Sequence, residues 1–489
     1  MILDTDCRAG CGIKACRQCS SKPILWEQMD KKRLFLLGEM PVAKAIITLA
    51  VPTVVSMLVQ IFYNVTDTFF VGKLNDPYQL AAVSICMPLF MMQMAISGIF
   101  GNGAASFLSR QLGKKDYAGA RETATVALVS CLASSVLVMS LGLAFIRPIL
   151  HLAGASSHSF PYALSYLSII ILGSPLLMLN FTIAQLLRAE GAAKGVMKAN
   201  LIGTITNIVL DPVFIFLLHL GVTGAAIATL IGASCSLAYL LSFYWRRKSL
   251  AMPSPRFLRI RWETFAEIFK IGIPASLSQI MMSVGNSICY GVASGYGDVA
   301  VAGFGVVWRV MSLPVFVFIG MSIAMQPIVG YSYGANNKHR LKQTVRTTLE
   351  MSAGLAAFVL ALFLLFPRLI IQIFTTDPNV VEMGSKVLTA FTLSIPFIGF
   401  QMPLLTSIQA MGKGIPSLII AVSRNGLVYI PAVFILNGIF GFDGLVWALP
   451  LSDVISALLA LFFFIAIVRT LRHHQPEQQF VEHALEEVV

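Results

Sequence analysis

The chain has 489 residues, of which 57% are hydrophobic and only 12% charged, with a mean hydropathy of +0.79. Soluble domains carry roughly twice that charge, so the composition excludes an ordinary soluble protein and points to one that lives in a bilayer. The net charge of +12 does not call for a nucleic-acid partner, because the basic residues gather on one side of the apolar segments.

The chain begins with a polar stretch, residues 1 to 41. It lacks the charged-then-apolar pattern and small-residue cleavage site of a signal peptide, so none is expected to be removed. Cys7, Cys11, Cys16 and Cys19 crowd it. They read either as part of a tail without fixed structure or as a weak zinc or iron–sulfur candidate. Disulfides are not expected in a cytoplasmic tail.

Apolar segments then follow near 43 to 70, 79 to 108, 122 to 146, 160 to 185, 196 to 218, 222 to 244, 266 to 293, 299 to 329, 347 to 366, 386 to 408, 416 to 438 and 444 to 468. A helix needs about 20 residues to cross the hydrocarbon core, so these predict twelve transmembrane helices. Membrane β-barrels instead show alternating segments of about ten residues. In the connections, only Lys73, Arg147, Arg368 and Lys386 fall on the face away from the tails, and Arg309 lies mid-span. The excess of Lys and Arg on the other face puts both termini in the cytoplasm of a multi-pass plasma-membrane protein, the inner membrane if the source is Gram-negative.

A shift of about 221 residues lays one half of the sequence on the other. AVPTVVSMLVQIFYN aligns with GIPASLSQIMMSVGN, pairing Pro52 with Pro274 and Asn64 with Asn286. Gly113 then meets Gly334, Pro175 meets Pro396, Gly191 meets Gly412 and Pro212 meets Pro431. The expected fold is an all-α membrane protein of two six-helix bundles, residues 42 to 246 and 264 to 470, joined by a basic linker at 247 to 263 and ending in a tail at 471 to 489. Six spans per copy is an even number, so the repeats are parallel, an arrangement of transporters whose substrate site lies between the halves.

A charge inside a span costs about 3 kcal/mol or more, so each one is a candidate functional residue. Asn200, Thr204, Asn207 and Asp211 fall at i, i+4, i+7 and i+11, one polar stripe on one helix face. Gln60, Asn64 and Asp67 repeat the pattern in the first span. Both stripes should line a cavity or face each other inside the N-terminal bundle. Pro212 has no N–H to give, so it should kink its helix and release the carbonyl of Ile208. Carboxylates, amides and a bare carbonyl suit a hard cation or a proton. At the same shift Asp67 meets Cys289 and Asp211 meets Ile430. Any coupling ion should therefore belong to the first bundle. Arg309 is read as pairing with a carboxylate or gating a cavity, Asp453 ranks lower, and Glu190 sits near a cytoplasmic end. Asn180, Gln279 and Asn286 complete the candidate substrate cavity with Gln60, Asn64, Asn200, Thr204 and Arg309. The sequence carries no nucleotide-binding, zinc-hydrolase or nucleophile-elbow motif. That disfavours a membrane-embedded enzyme, and no cofactor is expected.

The segments LAVPTVVSMLVQIFYNVTDTFFVGKL, NIVLDPVFIF, GVTGAAIAT and QPIVGYSYGANN together resemble the multidrug and toxic compound extrusion (MATE) family, over roughly residues 40 to 470. That resemblance implies a monomeric secondary antiporter with two bundles around a V-shaped cavity. It would export bulky, often cationic organic compounds against inward sodium or protons. It further implies a cation site at Asp67, Asn207, Asp211, Ala225 through its backbone, and Thr229. The family branch with acids in the seventh and tenth helices is not matched. A lipid-linked glycan flippase of related fold is the alternative; it would want several cationic cavity residues, and Arg309 stands as the only mid-span cation.

Overall fold

The computed structural model describes residues 24–74, 76–258 and 261–473, and the side chains of 31–74, 76–258 and 261–470. The four N-terminal cysteines lie outside the described residues, as does nearly all of the C-terminal tail. The described residues hold helices and connections and no strand.

The helices run in chain order as α1 (Ile24–Gly38), α2 (Val42–Gly72), α3 (Pro77–Gly113), α4 (Tyr117–Ala144), α5 (Ile146–Leu152), α6 (Phe160–Leu172), α7 (Ser174–Ala189), α8 (Ala193–Pro212) and α9 (Gly221–Trp245) in the first half. The second half follows with α10 (Trp262–Ser294), α11 (Asp298–Gly334), α12 (Lys338–Leu365), α13 (Pro367–Gln372), α14 (Pro378–Thr392), α15 (Ile395–Ala410), α16 (Gly414–Val422), α17 (Tyr429–Phe440) and α18 (Phe442–His473). From α2 onward the two halves match span for span, α8 of the first half corresponding to α16 and α17 together in the second. Ten spans are long and apolar enough to cross a membrane, and two bent pairs, α6 with α7 and α14 with α15, bring the number to twelve when each pair is one span. The pair α6–α7 does run from one face to the other. It starts beside His158, whose ring lies against Tyr78 at the start of α3, and ends at Glu190 against the linker.

The bends of 51° and 45° have the same local cause. Pro175 and Pro396 stand in the first turn of the second member of each pair and supply no N–H to the preceding turn. Ser174 and Ser394, just before them, donate instead to the carbonyls of Ile171 (2.6 Å) and Phe391 (2.7 Å). Pro212 marks a change of helix type. It is the last residue of α8, and the chain continues through a π-helical stretch, Val213–Leu217. A second π stretch, Ser423–Leu427, joins α16 to α17.

The halves meet through bare backbone. A Cβ on Gly113 would strike the carbonyl of Tyr331, and one on Gly334 would strike the carbonyl of Arg110. Gly113 and Gly334 are repeat partners, so the contact is reciprocal and the pseudo-twofold axis passes between them. Gly103 and Gly272 seat α3 on α10 in the same manner. Ser276 donates to the carbonyl of Ala95 (2.6 Å), Arg110 pairs with Glu267 (2.8 Å), and Ser106 bonds the carbonyl of Gln409. These contacts run from mid-helix, at Ser276 and Ala95, to one end, the basic end that carries α1 and the linker.

Toward the opposite end the halves part. On α2 the residues Val42, Ile46, Leu49 and Thr53 share one face and are buried. Gln60 and Asn64 continue that face and are exposed. On the outer face of the same helix Ile47, Val51, Phe62, Val65 and Phe69 are exposed, with Val55 and Leu58 between them half-buried. The polar stripe therefore opens onto a cleft, and the apolar one is the surface for lipid.

Two expectations are corrected. Residues 24–38 of the supposed tail form α1, which buries Leu36 and Leu37 against the bundles. Arg424 is a second mid-span cation, since it stands in the π stretch of the eleventh span rather than at a basic face.

Candidate functional site

The acid pair belongs to the parted half of the N-terminal bundle. Asp67 sits on α2 five residues before its end, and Asp211, fully buried, is the last residue but one of α8, just ahead of Pro212 and the π stretch. The two carboxylates are close enough for their charges to repel. Glycines bring the third helix in: Gly203 on α8 and Gly232 on α9 press against each other's backbone, which draws α9 onto α8. Ile202, Ile205 and Val209 point the other way and stay exposed.

Asn207 binds the site together. Its Nδ2 donates to Asp211 Oδ1 at 3.2 Å and to Thr229 Oγ1 at 3.5 Å. Thr229 in turn shares a 3.1 Å hydrogen bond with the Tyr63 hydroxyl. Ala225 lies one helical turn before Thr229, buried with Val71, Ile215 and Val222. The structure thus brings together Asp67, Asn207, Asp211, Ala225 and Thr229 from three helices. Three of their oxygens, Asp67 Oδ1, Asn207 Oδ1 and Asp211 Oδ2, are buried without a hydrogen-bond partner. Buried polar atoms are normally satisfied, and three such acceptors among neighbouring residues form an all-acceptor nook that fits a cation or a proton.

Two residues join the site that the sequence reading missed. Tyr63 stands one turn before Asp67 on the same face, a spacing that was available in the sequence. Tyr166, on α6, lies within electrostatic reach of Asp67, Tyr63 and Asp211, and no local pattern announces it.

The candidate cavity residues divide. Asn200 and Thr204 are half-buried on the polar face of α8, and Gln60 and Asn64 open onto the cleft. Gln279 is exposed and Asn286 half-buried on α10 of the other bundle. Arg309 is exposed and has no carboxylate partner among the described residues, so the expected ion pair is not formed. It shares the α11 face of Gly320, which meets Val54 of α2. Asn180 is not free for a ligand. Its amide donates to the carbonyl of Ala233 at 2.9 Å and ties α7 to α9. Asp453 is fully buried and bonded to Arg424 Nε at 2.7 Å, while Ser452 donates to the Arg424 carbonyl.

Two bundles on a parallel twofold, closed at one end around paired glycines and parted at the other, define a membrane transporter of the alternating-access kind. A family profile described as MatE matches residues 52–213 and 274–435, once in each half. The chain is 30% identical over 445 residues to the multidrug export protein MepA of Staphylococcus haemolyticus, covering 91% of this chain and 97% of the relative. To MepA of Staphylococcus aureus strain MRSA252 it is 29% identical over 435 residues, 88% and 96% of the two chains. A crystal structure of MATE in complex with MaL6 superposes with a TM-score of 0.86 at 26% identity, covering 91% of this chain and 99% of the other. An outward-facing multidrug resistance MATE transporter of the MOP superfamily gives 0.85 at 26% identity, over 90% and 98%. The chain belongs to the MatE family. It is a multi-pass membrane transporter and not an enzyme.

Proposed function

We propose that this protein is a secondary antiporter that exports small organic compounds, cationic and amphipathic in character, in exchange for sodium ions or protons moving inward through the acid pair of the N-terminal bundle. The MepA relatives are named as multidrug export proteins, which supports the export reading. The observation that carries the coupling is the set of three unpartnered oxygens on Asp67, Asn207 and Asp211. An ion in their midst would remove the repulsion between the two acids and let α2, α8 and α9 draw together. Because the ion binds that arrangement better than the alternative one, its binding shifts the equilibrium between them. Inward movement of one positive charge adds about 2.3 kcal/mol per 100 mV. In this reading the basic face is cytoplasmic, the cleft faces outward, and one chain is a complete transporter. The cleft residues Gln60, Asn64, Gln279, Asn286 and Arg309 would meet the substrate.

The flippase alternative wants several cations in the cleft for a phosphate. Arg309 stands there, but Arg424 is spent on Asp453. Efflux from proteoliposomes under separate sodium and proton gradients tests the antiport reading, with the native chain beside Asp211→Asn. The expected outcome is efflux driven by one of the two gradients in the native chain and a loss of that drive in the variant. Equal gradient-driven efflux in both would remove Asp211 from the coupling.

A further inference from the structure

α1 reaches both bundles. Near its middle, Arg33 Nη1 donates to the Lys248 carbonyl at 2.6 Å and lies 3.7 Å from Glu190 Oε2. Glu190 ends α7 of the N-terminal bundle and is fully buried. Its carboxylate also accepts from Ser249 Oγ (2.6 Å) and from the amides of Leu250 (2.9 Å) and Ala251 (3.1 Å). Burial pushes this carboxyl above the ordinary glutamate range, while the Ser249 hydroxyl, the Arg33 guanidinium and the two amides pull against that push. At its other end α1 is held by the C-terminal bundle. Arg340 of α12, itself buried, donates to the carbonyls of Leu37 (3.0 Å), Met40 (2.8 Å) and Leu36 (3.3 Å). The Leu36 and Leu37 carbonyls are among those that a helix end leaves without intrahelical partners, and a cation there also suits the helix dipole.

The apolar side repeats the bridge. Leu36 and Leu37 pack in one cluster with Ala193 of α8 and with Met321, Ala324 and Ile328 of α11. The repeat-equivalent segment ahead of α10 is the linker. It is tied at Ser254 to Thr125, and Arg261 beside it approaches Glu122 at 3.9 Å. Leu250 and Ala251 of the linker also pack with both halves, against Ala120, Ala124 and Ile268, but among the described residues only the α1 position presents a long helix hydrogen-bonded to both.

We propose that α1 is a gate strap: it fastens the two bundles at the basic face while the cleft is open at the other end, and it must release Glu190 or Arg340 before cargo enters from its own side. Arg340 and Glu190 are then positioning residues of the transport cycle, acting through α1 rather than on the cargo. The inference rests on the export reading, in which the basic face opens to the cell interior, but not on which ion drives it.

The test uses the full chain with its native cysteines replaced and a single Ser106→Cys, a position fully buried between the halves. Labelling by a membrane-impermeant maleimide from the basic side, without any ion gradient, reads how often that face opens. Arg340→Gln should label roughly tenfold faster, the population shift that loss of a charged hydrogen bond supports. Arg340→Lys should fall between, and Arg346→Gln, whose ion pair with Glu350 is solvent-exposed, should match the parent. A parent-like rate in Arg340→Gln would overturn the strap. Should that variant fold poorly, Leu36→Cys with Met321→Cys, two positions in one cluster between α1 and α11, joined by a reducible bifunctional thiol reagent, gives a second measurement. Efflux should stop on cross-linking and return on reduction, and undiminished efflux while cross-linked would also overturn it. Because labelling needs no gradient, a failed ion-coupling result leaves this outcome readable.

Discussion

The two bundles share a scaffold and differ in how they treat charge. In the first, Asp67 and Asp211 face each other across α2 and α8 with oxygens left unsatisfied. In the second, the repeat positions hold Cys289 and Ile430, and the buried carboxylate of Asp453 is neutralised from within by Arg424 at 2.7 Å. The second bundle carries its cation covalently on its own eleventh span. Among the described residues no basic side chain pairs with Asp67 or Asp211. The duplicated fold thus holds an acid pair with no internal cation in one half and an acid paired from within in the other, and in the function proposed above only the first would exchange charge.

This contrast is open to direct attack. Arg424→Met strands Asp453 and should lower stability by about 3–5 kcal/mol, whereas Arg424→Met with Asp453→Leu should recover most of it. Thermal unfolding in detergent reads both, and equal loss in the single and the double variant would show that the pair is not self-contained. Next in size, Asp67→Asn should cut gradient-driven efflux at least about tenfold, as a differential of ~1.4 kcal/mol in ion binding implies, without a matching fall in melting temperature. If Asp453→Asn in a chain that still folds abolished coupling equally, the division between the bundles would fail. The smallest effect belongs to Tyr63→Phe. It removes the 3.1 Å bond to Thr229, a net of about 1 kcal/mol, and should shift the half-saturating ion concentration several-fold at an unchanged maximal rate. Cleft substitutions at Gln60 or Asn64 should alter which compounds are exported and leave the ion dependence alone.

The spans, the duplication and the acid pair were legible in the sequence, because lipid punishes a lone carboxylate so heavily that Asp67 and Asp211 stand out by position. The polar stripe on α8 was legible for the same reason, through its helical spacing. Contacts made between distant segments were not. Arg424 and Asp453 lie 29 residues apart on different helices, so Arg424 read as a face residue and Asp453 as an isolated acid. Asn180 looked available because its acceptor, the Ala233 carbonyl, belongs to another helix. α1 escaped notice because ILWEQMDKKRLFLLG is too polar for a span. Its helix is held by tertiary partners, chiefly Arg340, about 300 residues away in sequence.

Gly113 and Gly334 have one more consequence. Placed where the pseudo-twofold axis reaches the basic end, they form a clasp: any rocking that opens this face must slide the two backbones apart there. A methyl group on either residue would strike the facing carbonyl, so it should spring the clasp while leaving each bundle intact.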